Sequence, residues 1–277
     1  MVLVSGATGN AGGAVVRALV AAGQPVKALV RPGTDPSRVP HGAEAAEADL
    51  GSAESIIPHL QGVDAVFVLS GYDGLIGTLA TMRDAGVARV VLLSSSAAPG
   101  GDTTNAVARY HIESEQAVRD SGLAWTFLQP NSFMTNTLQW VPQLQAGEVI
   151  RAPFADVAVA TIHPDDIGAV AAVALTSDGH AEEAYRLSGP ESLTPGDRVA
   201  ILARVLGRDL RFQPQSDEEA RAEMSESMPS PYVDAFMSFF ADGKLDESEV
   251  LPTVEQVTGR PPRTFAQWAS EHADALR

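Results

Sequence analysis

The chain has 277 residues, 45% of them hydrophobic, enough to bury a substantial core in one large domain or a domain with a smaller appended lobe. A formal net charge of −16, with Lys27 and Lys244 as the only lysines, leaves no basic stripe and excludes nucleic acid as a direct partner. The lack of cysteine excludes disulfides, thiolate metal sites and thiol nucleophiles, and fits a reducing, cytoplasmic location.

Val2-Leu3-Val4 is an apolar run with the length of a buried parallel strand. Arg17 and the glycines break up the apolar character of the next residues, so the N-terminus reads as folded structure and not as a signal peptide. No run is long enough to span a membrane. Gly6, Gly9 and Gly12 come at three-residue spacing, and residues 14–22 then form an apolar helix ended by Gly23. Strand, glycine turn and helix make a phosphate cradle. Gly6 permits the tight exit, Gly9 lets a pyrophosphate approach the backbone, and Gly12 lets the helix lie close on the sheet. The helix N-terminus adds free N–H groups and a partial positive charge, so the turn predicts a dinucleotide site.

Residues 25–30 give a second strand, and Arg31 stands at its end. An acid here would bind the ribose 2′-hydroxyl of NAD, whereas an arginine suits the 2′-phosphate of NADP, with Arg38 in support. A third strand over residues 43–49 ends in Asp49-Leu50, and Ser52 is expected to cap a helix reaching Leu60. Residues 63–69 form a fourth strand, with Ser70-Gly-Tyr-Asp-Gly74 at the carboxyl end, where open α/β sheets place ligands. A helix over 75–85, a fifth strand over 87–93 ending in Ser94-Ser95-Ser96, a helix over 106–120 and a sixth strand over 123–128 continue the alternation. The pattern predicts an α/β fold with a Rossmann-type, doubly wound parallel sheet.

Beyond Pro130-Asn131-Ser132-Phe133-Met134 the rhythm breaks. His163-Pro-Asp-Asp166 reads as a helix start and not as a metal site, and residues 184–188 as a further strand. After Ser192 the strands largely stop, and helices begin at Thr194, at the capping box Ser216-Asp-Glu-Glu219, at Pro229 and at Thr264, the last running to Leu276. The stripe Tyr232, Phe236, Phe239 and Phe240 is expected to be lobe core, with only its edge at a cleft. Residues 1–130, with returning segments near 157–190, are expected to form the nucleotide-binding domain. Residues 131–156 and 191–277 would then be a smaller, mainly helical lobe closing over it.

Several blocks carry a family resemblance: Ser5-Gly-Ala-Thr-Gly-Asn-Ala-Gly-Gly13, Tyr110-His-Ile-Glu-Ser-Glu115, Leu128-Gln-Pro-Asn-Ser-Phe-Met134, His163-Pro-Asp-Asp-Ile-Gly168 and Thr258-Gly-Arg-Pro-Pro-Arg-Thr-Phe-Ala-Gln-Trp268. Over nearly the whole chain they resemble the NmrA-like atypical short-chain dehydrogenase/reductase family, in the branch of NAD(P)H quinone reductases and triphenylmethane reductase. The resemblance implies NADP(H) as cofactor, with the turn residues Gly6, Thr8, Gly9, Asn10, Ala11 and Gly12 at the pyrophosphate and Arg31 at the 2′-phosphate. It further implies Asp49 and Leu50 at the adenine, Ser70 beside the nicotinamide ribose, Ser94 among the cofactor contacts, and Asn131 and Phe133 facing the nicotinamide.

Two departures bear on chemistry. The Tyr-x-x-x-Lys dyad of the wider superfamily is absent, since Ser114 stands four residues after Tyr110, and Gln129 replaces an arginine frequent in relatives. His111 falls at the place of the lysine in the phenylcoumaran-type reductases, where an imidazole suits proton donation or shuttling at neutral pH; Tyr110 and Tyr72 are the reserve candidates. A quinone needs little acid assistance, because its reduced product takes protons from water. The expected function is therefore NADPH-dependent reduction of a flat, conjugated small molecule, quinone-like, with no metal and with a homodimer as the assembly to test. The alternative is an NADP-binding regulator of the NmrA type acting through a protein partner.

Overall fold

The computed structural model describes residues 1–277, the side chain of Pro36 excepted. Its strands are β1 (Val2–Val4), β2 (Val26–Val30), β3 (Glu44–Glu47), β4 (Ala65–Leu69), β5 (Arg89–Leu93), β6 (Ala124–Pro130), β7 (Val149–Ala152), β8 (Glu183–Leu187) and β9 (Arg211–Pro214). Seven of them make one parallel sheet in the order β3-β2-β1-β4-β5-β6-β8, as the alternation predicts. Register is continuous across the middle of the sheet: Val4 pairs with Phe67, Phe67 with Val91, and Val91 with Thr126.

The helices are α1 (Asn10–Ala21), α2 (Ala53–Ile56), α3 (Leu75–Asp84), α4 (Ala106–Asp120), α5 (Val141–Ala146), α6 (Pro164–Thr176), α7 (Pro195–Leu206), α8 (Asp217–Ser227), α9 (Ser230–Phe240), α10 (Thr253–Thr258) and α11 (Phe265–Glu271). Successive strand side chains point to opposite faces, so each central strand feeds two cores. Val2, Val4 and Phe67 pack with Val15, Leu19, Ile167 and Val170 of α1 and α6. Leu3, Val66 and Val68 pack with Ile56, Leu79, Met82 and Val118 on the other side. Burial on both faces explains why these strands are apolar throughout. A Cβ on Gly168 would lie 2.6 Å from the backbone of Ala14, so that glycine sets how closely α6 crosses α1.

A third core joins Trp140, Leu144, Ile150, Val199, Leu202, Phe265 and Trp268 beyond the sheet. Thr194 with Asp197, Ser216 with Glu219, and Thr264 with Gln267 each form a complete capping box, which fixes the starts of α7, α8 and α11 as the sequence predicts.

Four expectations need correction. Ser52 occupies a cap position, but its hydroxyl makes no cap bond; α2 ends at Ile56 and a 3-10 turn covers Ile57–His59, because Pro58 has no N–H to continue an α-helix. One strand does follow Ser192, where strands were expected largely to stop: β9 pairs in parallel with β7, Phe212 opposite Ile150, and four residues with one large apolar side chain gave little signal. The helix from Thr264 ends at Glu271, short of Leu276. Within the expected C-terminal lobe, α10 packs on α6 and β8, and Val254 lies in the core under the sheet.

Candidate active site

Strand order reverses between β1 and β4, and the glycine turn sits at that point. Gly6 has φ +62°, and a Cβ there would come 2.7 Å from Leu69 Cδ1 at the end of β4. A Cβ on Gly12 would lie 2.3 Å from Gly6 O, so α1 is folded onto its own entry loop with no room for a side chain. Gly12 is thus required by contact with the turn, and not by contact with the sheet. Gly9 caps α1 and brings no side-chain acceptor, which leaves the first-turn amides to a ligand. Thr8 is half-buried and Gly9 and Asn10 are exposed, while Ala11 is buried and can serve only through its backbone. Asn10 Nδ2 donates to Thr135 Oγ1 at 3.2 Å, tying the cradle to the segment after β6.

Arg31 and Arg38 are exposed beyond β2, and neither forms an ion pair among the described residues. Asp49 is exposed after β3, with Oδ1 accepting from Gly51 N at 2.9 Å, and Leu50 is half-buried. These residues fit a dinucleotide: a glycine turn, open helix amides, and the unpaired cations Arg31 just after β2 and Arg38 in the 3-10 turn that follows.

A cavity of about 370 Å³ opens at the carboxyl ends of β4, β5 and β6. Ser70, Ser94, Asn131 and Phe133 line it from the strand ends, Tyr110 and His111 from α4, and Phe236, Phe239 and Phe240 from α9. The aromatic stripe is therefore cavity wall for three of its four members, more than the edge contact expected. Ser70 Oγ donates to Leu93 O at 2.7 Å. Ser94 Oγ donates to the buried Glu115 at 2.6 Å, and Gln129 Nε2 and Arg119 bond the same carboxylate at 2.8 and 3.0 Å. Gln129 thus satisfies an internal acid, and the Ser94 proton is already committed.

Asn131 is buried, and its Nδ2 donates to Ala160 O at 3.3 Å and Glu247 O at 3.0 Å. Two carbonyls fix the amide orientation and leave Oδ1 buried without a partner, an acceptor for a bound donor.

His111 and Tyr110 stand side by side, ring centroids 4.1 Å apart. Burial lowers the His111 pKa to about 4, so the imidazole is neutral at pH 7, and its Nδ1 has no partner. Of the two roles expected for it, donor or shuttle, a ring that is neutral at pH 7 leaves the shuttle as the one its protonation state allows. Burial, with Tyr232 nearby, raises the Tyr110 phenol and keeps it protonated. Tyr72 is not among the cavity-lining residues. It packs on the opposite core, its hydroxyl buried and unpartnered, and burial raises its pKa. Ser114, at the lysine position, accepts from Gly71 N at 3.1 Å and donates to Tyr110 O at 2.7 Å, pinning α4 to the loop after β4.

An NAD(P)H-binding family matches residues 6–178, more than half of the chain. The chain belongs to this NAD(P)H-binding family. A curated relative, the (4-alkanoyl-5-oxo-2,5-dihydrofuran-3-yl)methyl phosphate reductase of Streptomyces griseus, is 40% identical, covering 100% of this chain and 99% of that protein. The NAD(P)H azoreductase of Xenophilus azovorans is 36% identical over 100% and 99%. Among solved structures, the NADPH-dependent quinone oxidoreductase QOR2 of Escherichia coli superposes with a TM-score of 0.80 at 24% identity, covering 98% of this chain and 99% of that one. The protein is an NAD(P)H-dependent oxidoreductase with the fold of that quinone oxidoreductase.

The sequence reading of this reductase missed Glu247. It lies in the cavity wall, buried, accepting from Ser96 Oγ at 2.5 Å, Ser132 N at 3.0 Å and Ser132 Oγ at 2.6 Å. Burial raises its pKa above 4.5 against the pull of those donors. Nothing around Asp246-Glu-Ser248 marks it in the sequence; the signal is the fold. His163, Asp165 and Glu271 bring ligand atoms within 4.8 Å of one another. His163 Nδ1 accepts from Asp165 N at 3.0 Å and its Nε2 lies 3.1 Å from Glu271, so hydrogen bonds account for both ring nitrogens.

Proposed function

We propose that this reductase prefers NADPH to NADH and passes hydride to a flat, conjugated electrophile, quinone-like, held against Phe236, Phe239 and Phe240. The observation that carries the reading is an aromatic-walled cavity adjoining a complete phosphate cradle. The preference for NADPH rests on Arg31 at the end of β2, with Arg38 of the following 3-10 turn in support. Bound NADPH supplies the hydride. Of the chain's own groups, Asn131 Oδ1 accepts a donor of the bound molecules, the phenylalanines exclude water, and Phe133 lines the cavity where it meets its neighbour. The product takes its proton from water or through the neutral His111 ring, with Tyr110 in reserve. The relatives act on a butenolide phosphate and an azo compound by name, both conjugated electrophiles, which favours turnover over the regulator alternative.

The test follows NADPH oxidation across quinones, enones, azo compounds and saturated ketones. Turnover of the conjugated acceptors alone is expected, with kcat lowered about a hundredfold in His111→Ala if the ring relays protons. Absence of turnover with every acceptor, although NADPH binds, would sink the reading. A cytoplasmic location is expected, and a homodimer is the assembly that sedimentation analysis would test.

A further inference from the structure

A second cavity, about 680 Å³, adjoins the first and shares Ser132, Phe133, Asn136, Phe236 and Phe240 with it. Its outer part is built by the lobe. Phe154 adopts φ +57°, a conformation rare for a bulky side chain, and its ring lies 5.4 Å from Phe240. Backbone held in that region is retained where surrounding packing over-determines it, and such positions gather at ligand sites.

Arg198 of α7 enters this cavity. Its guanidinium lies 5.1 Å from the Trp140 ring centroid, and Nε is buried without any acceptor. Among the described residues the side chain forms no hydrogen bond and no ion pair, in a chain with 35 acids against 19 lysines and arginines. Of the other charged residues in the cavity wall, Arg151 pairs with Glu219 at 3.0 Å, and the exposed Glu223 accepts from the neutral Gln215 Nε2 at 2.5 Å and keeps its charge without pairing with Arg198. Burial lowers the Arg198 pKa to about 10, which leaves it charged at neutral pH. Thr161 Oγ1, in the same wall, is buried and also unpartnered. A half-buried guanidinium with no acid bonded to it, in a cavity whose wall also holds an orphaned hydroxyl, offers the charge and the donors that an oxyanion needs.

We propose that this second cavity is a specificity subsite for an oxyanion carried by the substrate away from its reacting atoms, a phosphate ester or a carboxylate, held by Arg198 with Thr161 Oγ1 as second donor. The assignment rests on the reductase reading for what enters the first cavity. It differs from a purely structural stack on Trp140 in requiring affinity for a free anion.

Protein saturated with NADP+, so that the glycine cradle is filled, is titrated calorimetrically with phenyl phosphate and separately with benzoate. Wild type is expected to bind at least one of them, the tighter probe distinguishing phosphate ester from carboxylate. Arg198→Met should weaken that binding about ten- to a hundredfold, and Arg198→Lys, which keeps charge without the planar fork, by less. Unchanged NADP+ affinity establishes that the variant is folded. If Arg198→Met does not fold, Arg198→Lys and Thr161→Val carry the test, each expected to weaken the anion severalfold. No binding by wild type, or equal binding by wild type and the folded variants, overturns the proposal. Kinetics with paired conjugated acceptors, with and without the oxyanion, should show the ratio of their kcat/KM values falling at least tenfold in Arg198→Met. If wild type reduces neither acceptor, the reductase reading fails while the calorimetric arm still decides the subsite.

Discussion

Ser132 Oγ donates to Glu247 Oε2 at 2.6 Å, joining positions 115 residues apart in the wall of the cavity. The same carboxylate holds Ser132 N and Ser96 Oγ, so one buried acid clamps the exit loops of β5 and β6 against the segment leading to α10. Because burial raises its pKa above 4.5, the folded chain holds this proton more tightly than the unfolded chain does. Its contribution to stability is full below pH 4.5 and is lost as pH rises through the folded pKa. Glu247→Gln should remove that slope while Oε1 still accepts and Nε2 donates to Ser132 Oγ. Glu247→Leu, which orphans two hydroxyls and an amide, should destabilise by about 2–4 kcal/mol. Melting curves across pH check both.

His111 titrates in the opposite sense. Its pKa falls from 6.5 to about 4, so its stabilising contribution is present above pH 6.5 and is lost as pH falls through the folded value. Proton NMR of the ring should place its midpoint near 4, and kcat/KM should show no break near 6.5 assignable to it. A midpoint at 6.5 would contradict the enclosed environment described for the ring.

Arg31→Ala should weaken NADPH binding about ten- to a hundredfold and leave NADH nearly untouched, since only NADPH carries the 2′-phosphate. Arg31 is exposed, so the preference should shrink with added salt. Paired calorimetric titrations at two ionic strengths decide it, and equal affinities in wild type would remove the assignment.

Gly12→Ala drives a methyl group into Gly6 O and the neighbouring carbonyl of Ser5, against backbone that cannot rotate away. A loss of about 1–3 kcal/mol in stability is expected, together with weaker NADPH binding, because the turn and the first-turn amides move as one. Gly9→Ala meets only Gly6 O at 3.3 Å, so it should fold nearly normally and lose mainly cofactor affinity. Melting temperature and cofactor titration separate the two.

What the sequence determined by itself is the part built from contiguous residues. The glycine turn, the apolar strands around it, Arg31 at the end of β2 and the capping boxes were legible because backbone geometry and helix capping are decided within a few positions. Burial and partnership are decided by whatever chain arrives from elsewhere. Glu247 and Arg198 look ordinary in sequence, and only the fold buries one among three donors and leaves the other facing a cavity with no acid bonded to it. The same holds for His111, whose neutrality comes from enclosure, and for Phe236, Phe239 and Phe240, whose helical spacing is identical for core and for cavity wall. β7 and β9 are too short to show a period, and their pairing exists only because the lobe brings residues 149–152 and 211–214 together. Local pattern fixes which backbone forms, whereas desolvation and charge pairing are non-local quantities that exist only once the chain has closed on itself.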